Sequence, residues 1–376
     1  MEKKMTDILN ALSYEKEPME IKIPVPNGTY EVTLHVTSSE DTVFSVLVQT
    51  RRFVLSDVPI KRGEKKDFTF AVSVCDYHMH GDEMTNVRGV EVYILCDGGL
   101  TAAAAVSPAD IPTLYICGDS TVTDQKADYP YNPKSTYCGW GQRLPELLDG
   151  KIAVSNHAQS GATTADCLAT NFNAFKDKIK PGDIVLAEFG HNDQKVPELS
   201  ASGGYAENLR KIVNEVRARG GLALLSSPIN RIIFEPDGHL KNLLGNYRNA
   251  VCGVCTELEI PFIDMWSRTT EFYERAGCVK SWNFFYGDEN GRDYTHTNDI
   301  GGLVNAKLMA REWARLGIEP LSSHIKPGAL ELPDVKADPG DVPDNAAELE
   351  HLKGIGLVNT PDTIEDIDRD VTMFRH

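Results

Sequence analysis

A serine, a histidine, an aspartate and three potential hydrogen-bond donors stand out in this chain for where they fall. Ser120 follows the apolar run Leu114–Cys117 at once, in Gly118-Asp119-Ser120-Thr121. Taken alone, a serine there is most simply a turn residue or a helix N-cap. A second run, Ile152–Ser155, gives way to Asn156-His157-Ala158-Gln159-Ser160-Gly161-Ala162-Thr163, whose glycine can serve a turn or bring a backbone N–H close to a ligand. A third, Ile184–Phe189, ends in Gly190-His191-Asn192-Asp193-Gln194, with more polar side chains than a turn requires. Finally, Asp293-Tyr294-Thr295-His296 precedes a helical pattern that starts near Asp299. A carboxylate three residues before a histidine can reach its ring across one turn, fix the Nδ1–H tautomer and leave Nε2 as a base. In isolation that histidine reads equally well as a helix-start or solvent-facing residue.

Nucleophilic acyl transfer needs a hydroxyl, a base, an orienting acid and donors for the developing oxyanion. Ser120, His296 and Asp293 fill the first three places. The backbone N–H groups of Ser120 and Gly161 and the Asn192 amide fill the last. Each feature is ordinary alone, and their joint occurrence is not.

Such residues are useful only if a framework brings them together. After Pro112, apolar runs of four to seven residues alternate with helix-length amphipathic segments. The strand candidates are Leu114–Cys117, Ile152–Ser155, Ile184–Phe189, Leu222–Ser226 and Phe262–Met265. Between them, Tyr205–Arg219 sets Leu209, Ile212, Val213 and Val216 on one face at helical spacing. Five buried strands alternating with helices predict an α/β fold, a five-stranded parallel sheet covered on both faces, with its chemistry at the carboxyl ends of the strands. Residues 20–108 read differently. Tyr30–Val36, Val43–Val48, Phe68–Val74 and Val90–Leu95 are short β-rich runs separated by Pro-Asn-Gly, Arg-Gly and Asp-Gly-Gly turns, which predict a small antiparallel β-sandwich. The expected organisation is an N-terminal segment 1–19, the sandwich 20–108, the catalytic unit 109–320 and an acidic tail 321–376 that either wraps the molecule or lacks order.

Other clusters carry less. Cys252-Gly253-Val254-Cys255 has CxxC spacing but lies in a helical segment, Tyr247–Leu258, with no second pair to complete a metal site, so buried thiols are the better reading. His78-Met79-His80 with Asp82 could ligate a metal, yet a polar loop explains them as well. No metal or cofactor is required by a serine–histidine mechanism. Arg231 and Arg292 stand near strand ends or the Asp293–His296 turn and are candidate substrate contacts, equally explained as structural or solvated arginines. Tyr137 and Trp140 could stack on a ligand or cap the core, the latter being the expectation for Trp140.

The chain has 376 residues with 38 basic against 55 acidic side chains, a formal charge of −17. That balance repels nucleic acid and anionic membranes. Part of the charge is local, since residues 321–376 hold 12 acidic and 5 basic side chains. The eight cysteines are scattered among apolar stretches, as buried thiols would be, and no run is long enough to cross a bilayer. The first twenty residues contain no continuous apolar stretch of signal-peptide type, which together with the thiols gives a cytoplasmic expectation.

The ordered set Gly118-Asp119-Ser120, Gly161, Gly190-His191-Asn192-Asp193 and Asp293-x-x-His296 resembles the SGNH (GDSL) hydrolases over roughly residues 111–316. The strings GDSTVTDQ, GHNDQK and DYTHTND are similar to those of rhamnogalacturonan acetylesterases and related carbohydrate esterases. The resemblance implies a flavodoxin-like sheet, Ser120 as nucleophile, His296 as base, Asp293 as its orienting acid, and Ser120, Gly161 and Asn192 as the oxyanion hole. It implies supporting roles for Asp119 and Asp193, and a substrate bearing acetyl esters on a plant cell-wall saccharide, most simply rhamnogalacturonan oligosaccharides. Ala162-Thr163-Thr164 departs from relatives that carry a larger or basic residue after the glycine. Two alternatives remain at this level: an acetyl-xylan, lipid or other acyl esterase of the same superfamily, and a carbohydrate-binding protein without catalysis. The polar, Pro/Tyr-rich Asp124–Cys138 suits a sugar better than an acyl chain.

Overall fold

The computed structural model describes residues 11–49, 51–78, 84–288, 291–338, 345–354 and 357. Alternation of apolar and polar residues builds its first part. Strands β1 (Met19–Ile23), β2 (Gly28–Ser38), β3 (Thr42–Val48), β4 (Arg52–Ile60), β5 (Lys65–Val74), β8 (Val90–Leu95) and β9 (Leu100–Pro108) form two antiparallel sheets, in orders β1-β8-β3-β4 and β5-β2-β9. A short ladder of β6 (Tyr77–His78) and β7 (Met84–Thr85) stands beside them. Tyr30, Val32, Leu34 and Val36, every second residue of β2, point inward against Phe44, Val46, Val90, Val92 and Ile94 of the facing sheet. The expected antiparallel sheets are present. Three strands, β1, β4 and β9, were not anticipated. β9 is alanine-rich, a poor strand composition by propensity, and exists because it pairs with β2 along its whole length.

The parallel sheet follows expectation closely. It contains β10 (Thr113–Gly118), β11 (Ala153–Asn156), β12 (Ile184–Glu188), β13 (Leu222–Ser226) and β14 (Phe262–Ile263), in the order β11-β10-β12-β13-β14. Every residue of β10, β11 and β12 is buried, as a sheet covered on both faces demands. On one face α1 (Thr164–Ala169), α2 (Ala206–Ala218) and α3 (Gly245–Glu257) cover Tyr115, Val185 and Ala223, chiefly through Leu209, Ile212, Val213, Val216 and Val251. On the other, α4 (Met265–Ser281) and α5 (Asp299–Leu316) join Leu114, Ile116, Leu186 and Leu224 to Trp140 and Trp313. Trp140 is therefore core, as read.

Because β10 connects outward to β11 while β12 lies on its other side, the chain reverses direction across the sheet between β10 and β12. The crevice outside the carboxyl ends at such a point is where open α/β sheets bind ligands. An antiparallel hairpin, β15 (Phe285–Asp288) with β16 (Gly291–Thr297), brings residues from far along the chain to this edge. The described part of the tail wraps the molecule. Leu321, Ala329 and Val335 are buried in the main core, and Leu352 of α6 (Ala346–Gly354) packs with Leu357 on Ile233. Among the described residues no helix is long and apolar enough to cross a membrane.

Candidate active site

Each predicted residue stands at the end of an element that fixes it. Ser120 leaves β10 in a tight turn closed by Val122 N to Asp119 O at 3.1 Å, with the Thr121 N–H on Asp119 Oδ1 at 2.9 Å. His296 and Asp293 lie in β16. Pairing runs from Gly287↔Arg292 to Phe285↔Thr297, so residues 293–296 face Tyr286 alone and form a bulge. A bulge re-aims side chains that a regular strand would alternate. Within it, Asp293 Oδ1 accepts from the N–H groups of Thr295 and His296 at 2.8 and 2.9 Å. That turn is the single-turn reach expected of Asp293.

The resulting chain is continuous. Ser120 Oγ lies 2.7 Å from His296 Nε2, and His296 Nδ1 lies 2.8 Å from Asp293 Oδ2. Burial alone would raise the Asp293 carboxyl, but the hydrogen bonds and charge of His296 outweigh it and hold the pKa below the ordinary value. Asp293 is thus held ionised beside the His296 ring, as the expected orienting acid must be.

The donors converge as well. Gly161 has φ of 83°, the left-handed region that favours glycine, and a Cβ there would meet nothing. Among the described residues no protein acceptor takes the N–H of Ser120 or Gly161. Asn192 follows β12. Its Oδ1 accepts from Lys195 Nζ at 2.9 Å and its Nδ2 donates to Ala162 O at 3.1 Å. The amide orientation is therefore set from both ends, and the second N–H of Nδ2 remains for a ligand.

Asp119 and Asp193 act on the loops. Asp119 Oδ1 also accepts from Thr121 Oγ1 at 2.8 Å. Asp193 Oδ1 accepts from Thr164 N at 2.9 Å and Thr164 Oγ1 at 2.6 Å, and burial pushes its pKa up to about 6. The small residues after Gly161 thereby have a structural reason: Thr163 and Asp166 form a capping box on α1, and Thr164 ties that helix to the β12 loop.

The remaining candidates scatter. Arg292 is exposed, its guanidinium 4.8 Å above the Trp282 ring. Arg231 is buried, with Nε donating to Thr295 Oγ1 at 2.9 Å, a position that reaches the bulge rather than open solvent. Cys252 and Cys255 lie on α3. Burial raises both thiols, Cys255 to about 12, the opposite of a reactive thiolate. Of the His78–Asp82 cluster, His80 and Asp82 lie outside the described residues.

Residues 116–301 match the model of the GDSL-like lipase/acylhydrolase family. This region of the chain is thus similar to the GDSL hydrolases. The rhamnogalacturonan acetylesterase RhgT of Bacillus subtilis is 29% identical over 222 residues, covering 56% of this chain and 93% of its own length. The uncharacterized esterase YxiM of the same organism is 25% identical over 327 residues, 83% of this chain and 79% of its own. The crystal structure of YxiM shares the fold, with a TM-score of 0.51 at 24% identity over 80% of this chain and 81% of that one. On these matches the chain is a carboxylic ester hydrolase.

Of two further neighbours of the site, Tyr137 was read only as a stacking or core residue, and Glu188 escaped the sequence reading. Tyr137 stacks on Tyr286 at 3.7 Å, presents its edge to His296, and donates from its hydroxyl to Asp293 Oδ2 at 3.4 Å. Burial and the Asp293 charge raise its phenol, so it remains a neutral donor. Glu188, the last residue of β12, is 1% exposed beneath the serine turn, with Oε1 3.4 Å from Thr121 Oγ1. A carboxylate closing the apolar run IVLAE was the available signal for it.

Proposed function

We propose that this protein removes acetyl groups from a plant cell-wall saccharide, most simply rhamnogalacturonan oligosaccharides, the substrate for which two of its relatives are named. Ser120 Oγ attacks the acetyl carbonyl while His296 Nε2 takes its proton. Asp293 holds the ring by Nδ1–H and balances the imidazolium charge. The carbonyl oxygen, now an oxyanion, is met by the N–H groups of Ser120 and Gly161 and by Asn192 Nδ2. Collapse expels the sugar alkoxide, which takes the proton from His296, and leaves an acetyl-serine. Water then attacks with His296 again as base, releasing acetate and restoring Ser120.

The observation that carries this reading is the unbroken Ser120–His296–Asp293 contact at 2.7 and 2.8 Å, next to backbone donors that no acceptor among the described residues consumes. The saccharide part is supported by the relatives named rhamnogalacturonan acetylesterases, RhgT and the probable acetylesterase YesY, both 29% identical to this chain. Arg292, exposed beside the Asp293 bulge, is positioned for a carboxylate on such a substrate.

The test is acetate release from acetylated rhamnogalacturonan and acetylated xylo-oligosaccharides, with Ser120→Ala as control. Release from the first substrate that depends on Ser120 is the expected result. Release from xylo-oligosaccharides alone would keep the chemistry and overturn the substrate, and saccharide binding without any hydrolysis would overturn both.

A further inference from the structure

Arg231 is 6% exposed and its Nη1 is a buried atom with no hydrogen-bond partner among the described residues. Burial lowers its pKa to about 10, and the charges that face it are Asp119, Asp293 and, from α6, Glu348, none in direct ion-pair contact among the described residues. Lys195 and His191, on the loop after β12, feel its charge from the other side. Burying a guanidinium without a paired carboxylate is costly, so its place in the fold calls for a gain elsewhere.

The contacts show where that gain lies. Arg231 Nε donates to Thr295 Oγ1 at 2.9 Å, and Thr295 is the residue before His296 in the bulge. The segment that carries Arg231 is itself fastened on three sides. Asn230 Nδ2 donates to Trp266 O at 2.7 Å and to Thr270 Oγ1 at 2.8 Å, both on α4. The Ile232 N–H donates to Tyr294 O at 2.9 Å. Ile229 O lies 3.1 Å from His191 Nε2, next to Asn192. Arg231 is thereby a side-chain link between the segment after β13 and the Asp293–His296 bulge, beside the Ile232–Tyr294 backbone bond.

We propose that Arg231 is a positioning residue for ester hydrolysis: through Thr295 it holds the Asp293–His296 bulge in register with Ser120, and its unpaired charge faces the reacting edge of the sheet. This rests on Ser120, His296 and Asp293 being the reacting groups. A direct substrate contact would act differently, raising KM and leaving kcat alone.

Arg231→Lys, Arg231→Gln and Thr295→Val, assayed with 4-nitrophenyl acetate, separate these roles, because that ester has no carboxylate for an arginine to bind. Arg231→Gln should lower kcat by about tenfold or more with little change in KM. Thr295→Val should share that kcat loss, and Arg231→Lys, which can still donate to Thr295 Oγ1, should recover most of kcat. The double variant should be no slower than Arg231→Gln, because both remove one interaction. Wild-type kinetics of Arg231→Gln on this ester would overturn the proposal. So would a fall in Tm with kcat per folded molecule unchanged. If Arg231→Gln does not fold, unchanged kcat in Thr295→Val overturns it. Ser120→Ala runs alongside, and hydrolysis that survives in it would overturn the site assignment instead.

Discussion

Glu188 shows how much of this site is held by groups that never touch substrate. Burial, with Asp119 adding to it, pushes its pKa up from 4.5 to about 8. The folded protein therefore keeps a proton that the unfolded chain has lost, and stability falls as the pH rises from about 4.5 to about 8. Glu188→Gln keeps the shape and stays neutral, so its Tm should gain on the wild type as pH rises through that window. Parallel Tm curves for the two proteins would contradict the assignment of a neutral Glu188. Asn192 makes a second residue-level prediction. Loss of one oxyanion donor costs ~10²–10³ in kcat, so Asn192→Ala should be crippled in turnover yet retain the wild-type Tm within a few degrees. Full activity in that variant would remove Asn192 from the site. Ser120, Asn192, Asp293 and His296 were legible because their signals are local, a strand end or an i, i+3 spacing. Glu188 was not, and Arg231 was read as a substrate contact or a structural arginine with nothing to decide between them, since the partners of both depend on which loop lies across from them.

At the scale of elements, the hairpin β15–β16 does the positioning, and Asn298 joins it to α5. Asn298 Oδ1 accepts from the Gly301 N–H at 2.9 Å as the helix cap, while Nδ2 donates to Asn283 O and Phe285 O at 3.0 and 3.1 Å. Asn298→Ala loses a cap worth ~1 kcal/mol and leaves carbonyls of the hairpin unsatisfied. The expected outcome is a lower Tm and a lower kcat with KM little changed, because His296 is two residues upstream. An unaltered kcat per folded molecule would show that the cap and the site are independent. The sequence placed β8 and β13 to the residue, since buried aliphatic runs flanked by turns mark strands plainly. It missed β9, whose alanines carry no strand signal, and it read Asp293–His296 as a turn ahead of a helix. The turn is there, embedded as a bulge whose register only the partner strand β15 determines.

Across the whole molecule, the sandwich is bolted to the sheet behind the site. Arg52 of β4 pairs with Asp124 at 3.1 Å, both buried, and also donates to Val154 O of β11. Asp124 accepts in turn from Nδ2 of Asn156 at 2.8 Å, the last residue of β11 before the loop that leads to Gly161. Arg143 lies 3.9 Å over the Phe53 ring and reaches Ser56, Glu146 and Asp299. We propose that residues 20–108 are an accessory unit that supports the catalytic one through these contacts. Removing one member of a buried ion pair costs about 3–5 kcal/mol. Arg52→Ala should therefore lower the Tm of a single unfolding transition seen by calorimetry, with loss of esterase activity along the same curve. Two transitions, the catalytic one unmoved, would contradict that coupling. The sequence showed that two textures adjoin, but the interface rests on charged residues that look solvated until the facing surface is known.

The central claim is that Ser120 is the acylated nucleophile. Mass spectrometry of enzyme acid-quenched during turnover of 4-nitrophenyl acetate tests it most directly. An acetyl adduct on the peptide carrying Ser120, enriched when deacylation is slowed and absent from Ser120→Ala together with turnover, is the predicted result. Undiminished turnover by Ser120→Ala, or a transient adduct that maps to another residue, would contradict it.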